Sequence, residues 1–135
     1  MKVVLDTNIL ISAIVFGGKP RTILELIVME RKITGITSKF ALNELLGILE
    51  IKFKYSQDQL DRVEKLIEEN FTIVNPQNIP KIIKEDICDN QFLAILNDIT
   101  VDFIISGDQH LSKIKMYRNV PIVTTTYFID KILNK

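Results

Sequence analysis

The chain has 135 residues, of which 47% are hydrophobic and 25% charged, which is typical of one globular domain covering residues 1–135. Its 17 basic and 17 acidic residues cancel, which excludes the strong overall positive field of many nucleic-acid-binding proteins. A single cysteine, Cys88, excludes an internal disulfide and a cysteine-rich zinc site, and without any long apolar segment we expect a cytoplasmic protein with no membrane contact.

Short apolar runs alternate with helical patterns along the chain. The first strand, Val3 to Leu5, precedes a helix from Asn8 to Phe16 that stops at two glycines, and Pro20 can start a second helix. The later predicted elements are strand 33–37, helix 39–50 capped by Ser38, a helix after Ser56, strand 71–74, a helix from about residue 89, strand 102–106, helix 109–114, strand 120–123 and helix 126–133. Apolar strands separated by helices indicate a parallel sheet covered on both sides.

Two aspartates come directly after predicted strands. Asp6 follows Val3-Val4-Leu5, and Asp108 ends the run that begins at Phe103. Ligands of parallel sheets bind beyond the carboxyl ends of the strands. If these strands are neighbours, the two carboxylates lie roughly 5 Å apart and repel each other, and a divalent cation between them would relieve the repulsion. Asp89 and Glu44 are further candidates for the oxygen ligands that Mg²⁺ or Mn²⁺ prefers.

Each of these acids also has a purely structural interpretation. Asp6, Asp89 and Asp108 all lie where a helix begins, and an aspartate N-cap stabilises a helix by about 1 kcal/mol without any chemistry. Glu44 lies away from the leucine face of its helix, so it could simply face water, and Glu50 is equally admissible on spacing alone. The acids indicate a metal site only in combination.

Two basic stretches are candidates for contact with phosphate. Lys19 and Arg21 follow a pair of glycines, but no Gly-Lys-Ser/Thr sequence follows, which excludes a nucleotide P-loop. Lys52 and Lys54 flank Phe53 and could bind a single strand through charge and stacking, although cations are also favourable at the end of a helix.

Five stretches of the sequence carry a family resemblance through their order and spacing. They are residues 4–13 (VLDTNILISA), 16–18 (FGG), 38–45 (SKFALNEL), 89–94 (DNQFLA) and 105–108 (ISGD). Over nearly its whole length the chain resembles the PIN-domain ribonucleases, specifically their VapC-like toxin subfamily. The resemblance implies a three-layer α/β/α sandwich with a five-stranded parallel sheet in the order 3-2-1-4-5, in which the first and fourth strands are adjacent.

The resemblance also implies roles for individual residues. It selects Glu44 over Glu50 and Asp89 over the neighbouring aspartates, so that the implied catalytic and metal-binding set is Asp6, Glu44, Asp89 and Asp108. Residues that would support this acidic site are Asn8, Ser106 and Thr125. The family often has Asp-Pro-Asp-Asp where this chain has Asp86-Ile87-Cys88-Asp89. One possible carboxylate is therefore missing.

These observations lead to the hypothesis of an endoribonuclease that uses Mg²⁺ or Mn²⁺ to hydrolyse RNA. The resemblance implies the toxin of a toxin–antitoxin pair, with a small antitoxin as partner, and it is compatible with a homodimer. The alternative is a PIN-like module that binds RNA or protein without cutting, which the zero net charge and the missing carboxylate favour. A phosphatase with Asp6 as nucleophile ranks last, because Asp6-Thr7-Asn8 lacks the second aspartate of the Asp-x-Asp signature.

Overall fold

The structure is a computed structural model that describes residues 1–75, 94–97, 99–107, 116–117 and 119–133. Within these ranges the strands are β1 (Lys2–Leu5), β2 (Thr34–Ser38), β3 (Phe71–Val74), β4 (Phe103–Ile105), β5 (Met116–Tyr117) and β6 (Val120–Val123). The helices are α1 (Thr7–Ile11), α2 (Gly18–Val28), α3 (Lys39–Ile51), α4 (Gln57–Asn70) and α5 (Thr125–Tyr127). A π-helical segment, Ser12–Phe16, extends α1, another, Phe128–Leu133, extends α5, and Ile95–Asn97 form a 3₁₀ turn.

The strands form one sheet in the order β3-β2-β1-β4-β6-β5. The pairs β1–β2, β1–β4, β2–β3 and β4–β6 are parallel, whereas β5 is antiparallel to β6. Because β6 is the predicted fifth strand, the five-stranded parallel order 3-2-1-4-5 is confirmed. The two-residue strand β5 is an addition at the edge that the sequence did not predict.

The start of the second helix differs from the prediction. Helix α2 begins at Gly18, two residues before Pro20, directly after Gly17 has turned the chain with a φ of 89°. A proline within the first helical turn lacks only an N–H that would have no partner inside the helix, so it is tolerated there. The predicted helices from residue 89 and at 109–114 lie outside the described residues, apart from Ala94 and the turn Ile95–Asn97.

Side chains on the two faces of the sheet enter different apolar clusters. In β1, Val3 and Leu5 belong to the larger cluster, which includes residues of all five helices or their extensions. Val4, between them, packs into a second cluster with Ile36, Ile95 and Ile104 on the other face. This alternation gives the layered α/β/α architecture and fixes which residues reach the carboxyl edge. No helix in the part of the chain described here is long and apolar enough to cross a bilayer.

Gly35 in β2 provides a test of the packing between this sheet and α2. A Cβ atom at this position would lie 2.6 Å from Cε2 of Phe71 and 3.0 Å from Cδ1 of Ile27. We expect Gly35→Ala to lower the free energy of unfolding by about 1 to 3 kcal/mol, because the buried ring and the helix would have to move. Urea denaturation measures this change.

Gly47→Ala is the matched control, since a Cβ at Gly47 would meet nothing within 4 Å. Because alanine favours a helix over glycine, this variant should be unchanged or up to about 1 kcal/mol more stable. Equal stability of the Gly35 variant and the wild-type protein would contradict the packing described above.

Candidate active site

Asp6 lies at the carboxyl end of β1 and has only 2% of its surface exposed. Its Oδ1 atom accepts a hydrogen bond of 2.9 Å from the Ile9 N–H, so Asp6 is the N-cap of α1. Its Oδ2 atom accepts a hydrogen bond from the Ser106 hydroxyl. The capping interpretation is therefore correct for one carboxylate oxygen, whereas the other binds a residue from a different strand.

Ser106 connects the ends of three adjacent strands. It follows β4, is fully buried, and its N–H donates a 2.9 Å hydrogen bond to the Val123 carbonyl at the end of β6. The Asp6 N–H donates to the Ile105 carbonyl over 3.2 Å, which joins the ends of β1 and β4 as well. Asp6 is thus held in place from several directions at the edge of the sheet where ligands of parallel α/β folds bind.

Thr125, predicted to support the site, is half-buried at the start of α5, two residues beyond Val123. The helix start is stabilised by Thr124, whose Oγ1 accepts a 3.1 Å hydrogen bond from the Tyr127 N–H. The start of α5 therefore has its own capping side chain.

Asn8 and Glu44 line the same cleft, which has a volume of about 660 Å³ and lies between α1 and α3. The other lining residues are Ile11, Ser12, Phe16, Gly47, Ile48, Ile51, Lys52 and Phe53. Glu44 is partly buried. Glu50 is exposed and lines a separate depression between α3 and α4, together with Asp61 and Glu64. The geometry thus separates two glutamates that helical spacing alone left equivalent.

Half of the predicted acidic set can be placed. Asp6 ends β1, Glu44 faces the cleft, and Asn8 links them, since it lies two residues after Asp6 and lines the cleft with Glu44. Asp89 and Asp108 lie outside the described residues. Within the described ranges, no three His, Cys, Asp or Glu side chains come together as a metal site.

The donor chemistry of the described residues fits a hard divalent cation. Asp6 and Glu44 supply carboxylate oxygens, the ligands that Mg²⁺ and Mn²⁺ prefer. Two hydroxyls close to this edge, Oγ1 of Thr7 and Oγ1 of Thr37, are buried and have no hydrogen-bond partner within the described part of the chain. Buried hydroxyls normally have a hydrogen-bond partner, so these two could form hydrogen bonds with water or with a ligand.

The two predicted phosphate contacts, Lys19 and Arg21, lie away from the cleft lining. The Arg21 guanidinium donates from Nε to the Ala13 carbonyl over 2.8 Å and from Nη2 to the Ile14 carbonyl over 3.0 Å, so it stabilises the π-helical end of α1. The Lys19 Nζ atom lies 3.7 Å from an Asp130 carboxylate oxygen at the surface. Their contact with phosphate stays a prediction.

One face of α1 and its π-helical extension lines this cleft with Asn8, Ser12 and Phe16, and this face was not predicted from the sequence. Residues four apart share one face of a helix, so the spacing of these three residues was the available signal. The position of Glu44 across the cleft could not be predicted from spacing within one helix, because it depends on how α3 packs against α1.

Comparison with known proteins identifies the fold. A family model described as PIN domain matches residues 2–110. No curated protein sequence is significantly similar to the chain. The VapBC2 structure from Rickettsia felis, bound to a DNA fragment from their promoter, has a TM-score of 0.61 at 15% identity, covering 92% of this chain and 98% of that chain. PAE2754 from Pyrobaculum aerophilum has a TM-score of 0.60 at 10% identity, covering 100% of this chain and 91% of that chain.

The structural similarities at such low identity establish the fold, and the family match covers most of the sequence. The matched region contains all four predicted acids, Asp6, Glu44, Asp89 and Asp108, and the sheet has the order expected from the family resemblance. The chain therefore belongs to the PIN-domain family, whose members are nucleases.

Proposed function

We propose that this chain is a metal-dependent endoribonuclease and that residues 1–135 act as one PIN-like unit. The observation that carries the proposal is the buried Asp6 carboxylate, which is oriented by the Ile9 N–H and the Ser106 hydroxyl at the carboxyl edge of the sheet. Both hydrogen bonds fix the carboxylate before any ligand arrives. Such preorganisation is what a metal or phosphate site requires.

The proposed metal ligands are Asp6, Glu44, Asp89 and Asp108, directly or through water. A bound Mg²⁺ or Mn²⁺ would lower the pKa of a coordinated water and neutralise charge on the phosphate oxygens. The Ser106 hydroxyl keeps the Asp6 carboxylate in position, and Asn8 and Thr125 are proposed to complete the polar surroundings. Lys19 and Arg21 are proposed to lie towards the phosphates of the RNA.

We further propose a biological role as the toxin of a toxin–antitoxin pair that acts on cytoplasmic RNA. The support is the structural similarity to the VapBC2 assembly, which was solved on DNA from its promoter. In this role a small antitoxin protein would cover the acidic site, and two copies of the chain would form a dimer.

The alternative is a PIN-like module that holds RNA or protein without cutting. The net charge of zero and the presence of Cys88, where the family often has a carboxylate, favour this alternative. Both proposals use the same cleft and differ in whether a phosphodiester bond is broken.

Removal of metal tests the proposal directly. We expect labelled single-stranded RNA to be cleaved with Mn²⁺, to stay intact when EDTA is in excess, and to be cleaved again when Mn²⁺ exceeds EDTA. Product lengths are read by gel electrophoresis.

The Asp6→Asn variant, purified in parallel, controls for a contaminating ribonuclease. Cleavage that persists in EDTA, or that the variant retains in full, would contradict the proposed mechanism. RNA that binds but stays intact under all conditions would favour the non-catalytic module.

A further inference from the structure

We propose that the far end of the cleft, formed by Phe16, Phe53 and Lys52, binds one unpaired nucleotide of the RNA, with its base stacked on the Phe16 ring. This inference rests on the proposed ribonuclease function. It adds to that function a subsite for the bases on one side of the scissile phosphate.

The cleft runs from the acidic edge of the sheet to this aromatic end. Helices α1 and α3 both start at the carboxyl ends of their strands, so Asn8 in the first turn of α1 and Glu44 in the second turn of α3 lie towards the sheet edge. Phe16 is eight residues beyond Asn8, at the end of the π-helical extension of α1, and it is therefore about two helical turns farther from the sheet edge. A strand of RNA that leaves the acidic site along the cleft would therefore reach Phe16.

Phe16 is presented in an unusual way for an apolar residue. It is 72% exposed, although it contacts Phe53 edge to face, with ring centroids 5.8 Å apart and an angle of 78° between the planes. The pair holds the Phe16 ring in place, and its exposed surface is free to receive another flat ring. Every base has such a π face, so stacking here does not depend on sequence.

The charges along the cleft match a nucleotide at this end. Lys52 is a basic residue in the cleft lining, and its Nζ atom lies 5.6 Å from the centre of the Phe53 ring. A cation beside an aromatic platform is the usual arrangement for single-stranded nucleic acid, because the cation attracts the phosphate while the ring receives the base. The opposite end carries Glu44, so the cleft has a defined polarity.

Three side chains with the same exposure make a matched set for the test. Phe16, Ile51 and Met29 are each 72% exposed, and Phe16 and Ile51 line the cleft, whereas Met29 lies at the end of α2 outside it. All three can be changed without opening the core. Binding of a labelled single-stranded RNA to each protein, in EDTA so that no metal-dependent cleavage occurs, is measured by fluorescence anisotropy.

We expect Phe16→Ala and Phe16→Leu to raise the Kd by about 5- to 100-fold, which is the loss of one base–aromatic stack. Phe16→Tyr, Ile51→Ala and Met29→Ala should stay within about threefold of the wild-type protein, because each keeps an aromatic ring at position 16. An RNA with a single missing base, moved along the strand, should lose affinity at one position for the wild-type protein and show no loss there for Phe16→Ala.

Three outcomes would overturn the inference. The first is a Phe16→Leu variant that binds RNA with wild-type affinity. The second is an Ile51→Ala variant that loses as much RNA affinity as Phe16→Ala, which would indicate an apolar surface for a protein helix. The third is a wild-type protein that does not bind RNA. The two proposals fail separately. If RNA binding depends on Phe16 but no RNA is cleaved, the ribonuclease proposal is contradicted. If RNA is cleaved and Phe16→Ala binds it as well as the wild-type protein does, only the subsite proposal is contradicted.

Discussion

Asp6→Asn is expected to reduce RNA cleavage by at least about 100-fold. Substitution of residues that merely support a metal ligand already lowers activity or metal affinity about 10- to 100-fold, and Asp6 is proposed as a ligand itself. The substitution removes the negative charge and keeps the size of the side chain. The asparagine carbonyl can still accept the hydrogen bond from Ile9, and its amide group can donate to the Ser106 hydroxyl. Since asparagine caps a helix as well as aspartate does, the free energy of unfolding should change by less than about 1 kcal/mol.

Asp102→Asn is the matched control for this experiment. Asp102 precedes β4 at the opposite edge of the sheet, where a carboxylate oxygen accepts a 2.7 Å hydrogen bond from the Lys2 N–H. Loss of the negative charge at Asp102 should leave the rate of RNA cleavage unchanged. Calorimetric titration of Mn²⁺ into both variants supplies a second measurement without RNA, and undiminished cleavage and Mn²⁺ affinity in a folded Asp6→Asn protein would remove Asp6 from the site.

Glu44→Gln should lower the rate of cleavage by at least about 10-fold, because removing a group that only supports a metal ligand already costs about 10- to 100-fold. Glu44 is partly buried and lines the same cleft as Asn8, so its charge acts within the cleft. Glutamine has the same shape and a similar helix propensity, and the fold should therefore be retained.

Glu50→Gln separates the site from a general effect of charge on α3. Glu50 is on the same helix but exposed, and it lines a depression on the α4 side. Initial rates for both variants at saturating Mn²⁺ give the comparison. Equal rates in the two variants would show that Glu44 has no special role, despite its position in the cleft.

The strands were predictable where apolar runs are long enough to carry a pattern. Residues 71–74 and 120–123 form strands with the predicted bounds, and the burial of Val3, Val4 and Leu5 in clusters on both faces of the sheet is typical of a central parallel strand. The strand β5 has two residues and pairs with β6, and it is too short to be predicted from a local sequence pattern. The early start of α2 depends on the positive φ of Gly17 and Gly18, which glycine permits but does not require.

The site was predictable to the extent that it follows from strand ends. The position of Asp6 after β1 placed it at the ligand-binding edge, but only the sheet order makes Ser106 its partner, and that order came from the family resemblance. The burial of Glu44 depends on how α1 lies against α3, and periodicity within one helix contains no information on that contact. The two hydrogen bonds of Arg21 to carbonyls in the π-helical extension of α1 similarly depend on tertiary packing.

The central position of β1 has a consequence for how the protein is made. Strand β1 is synthesised first but pairs with β4, and the hydrogen bond between Asp6 and Ser106 joins residues 100 positions apart. At about 5 to 20 residues per second, Ser106 is translated roughly 5 to 20 s after Asp6. The nascent chain cannot orient the Asp6 carboxylate through Ser106 until the segment between these two residues has been translated. The carboxylate geometry proposed for the nuclease would then form only after β4 has been translated and has paired with β1.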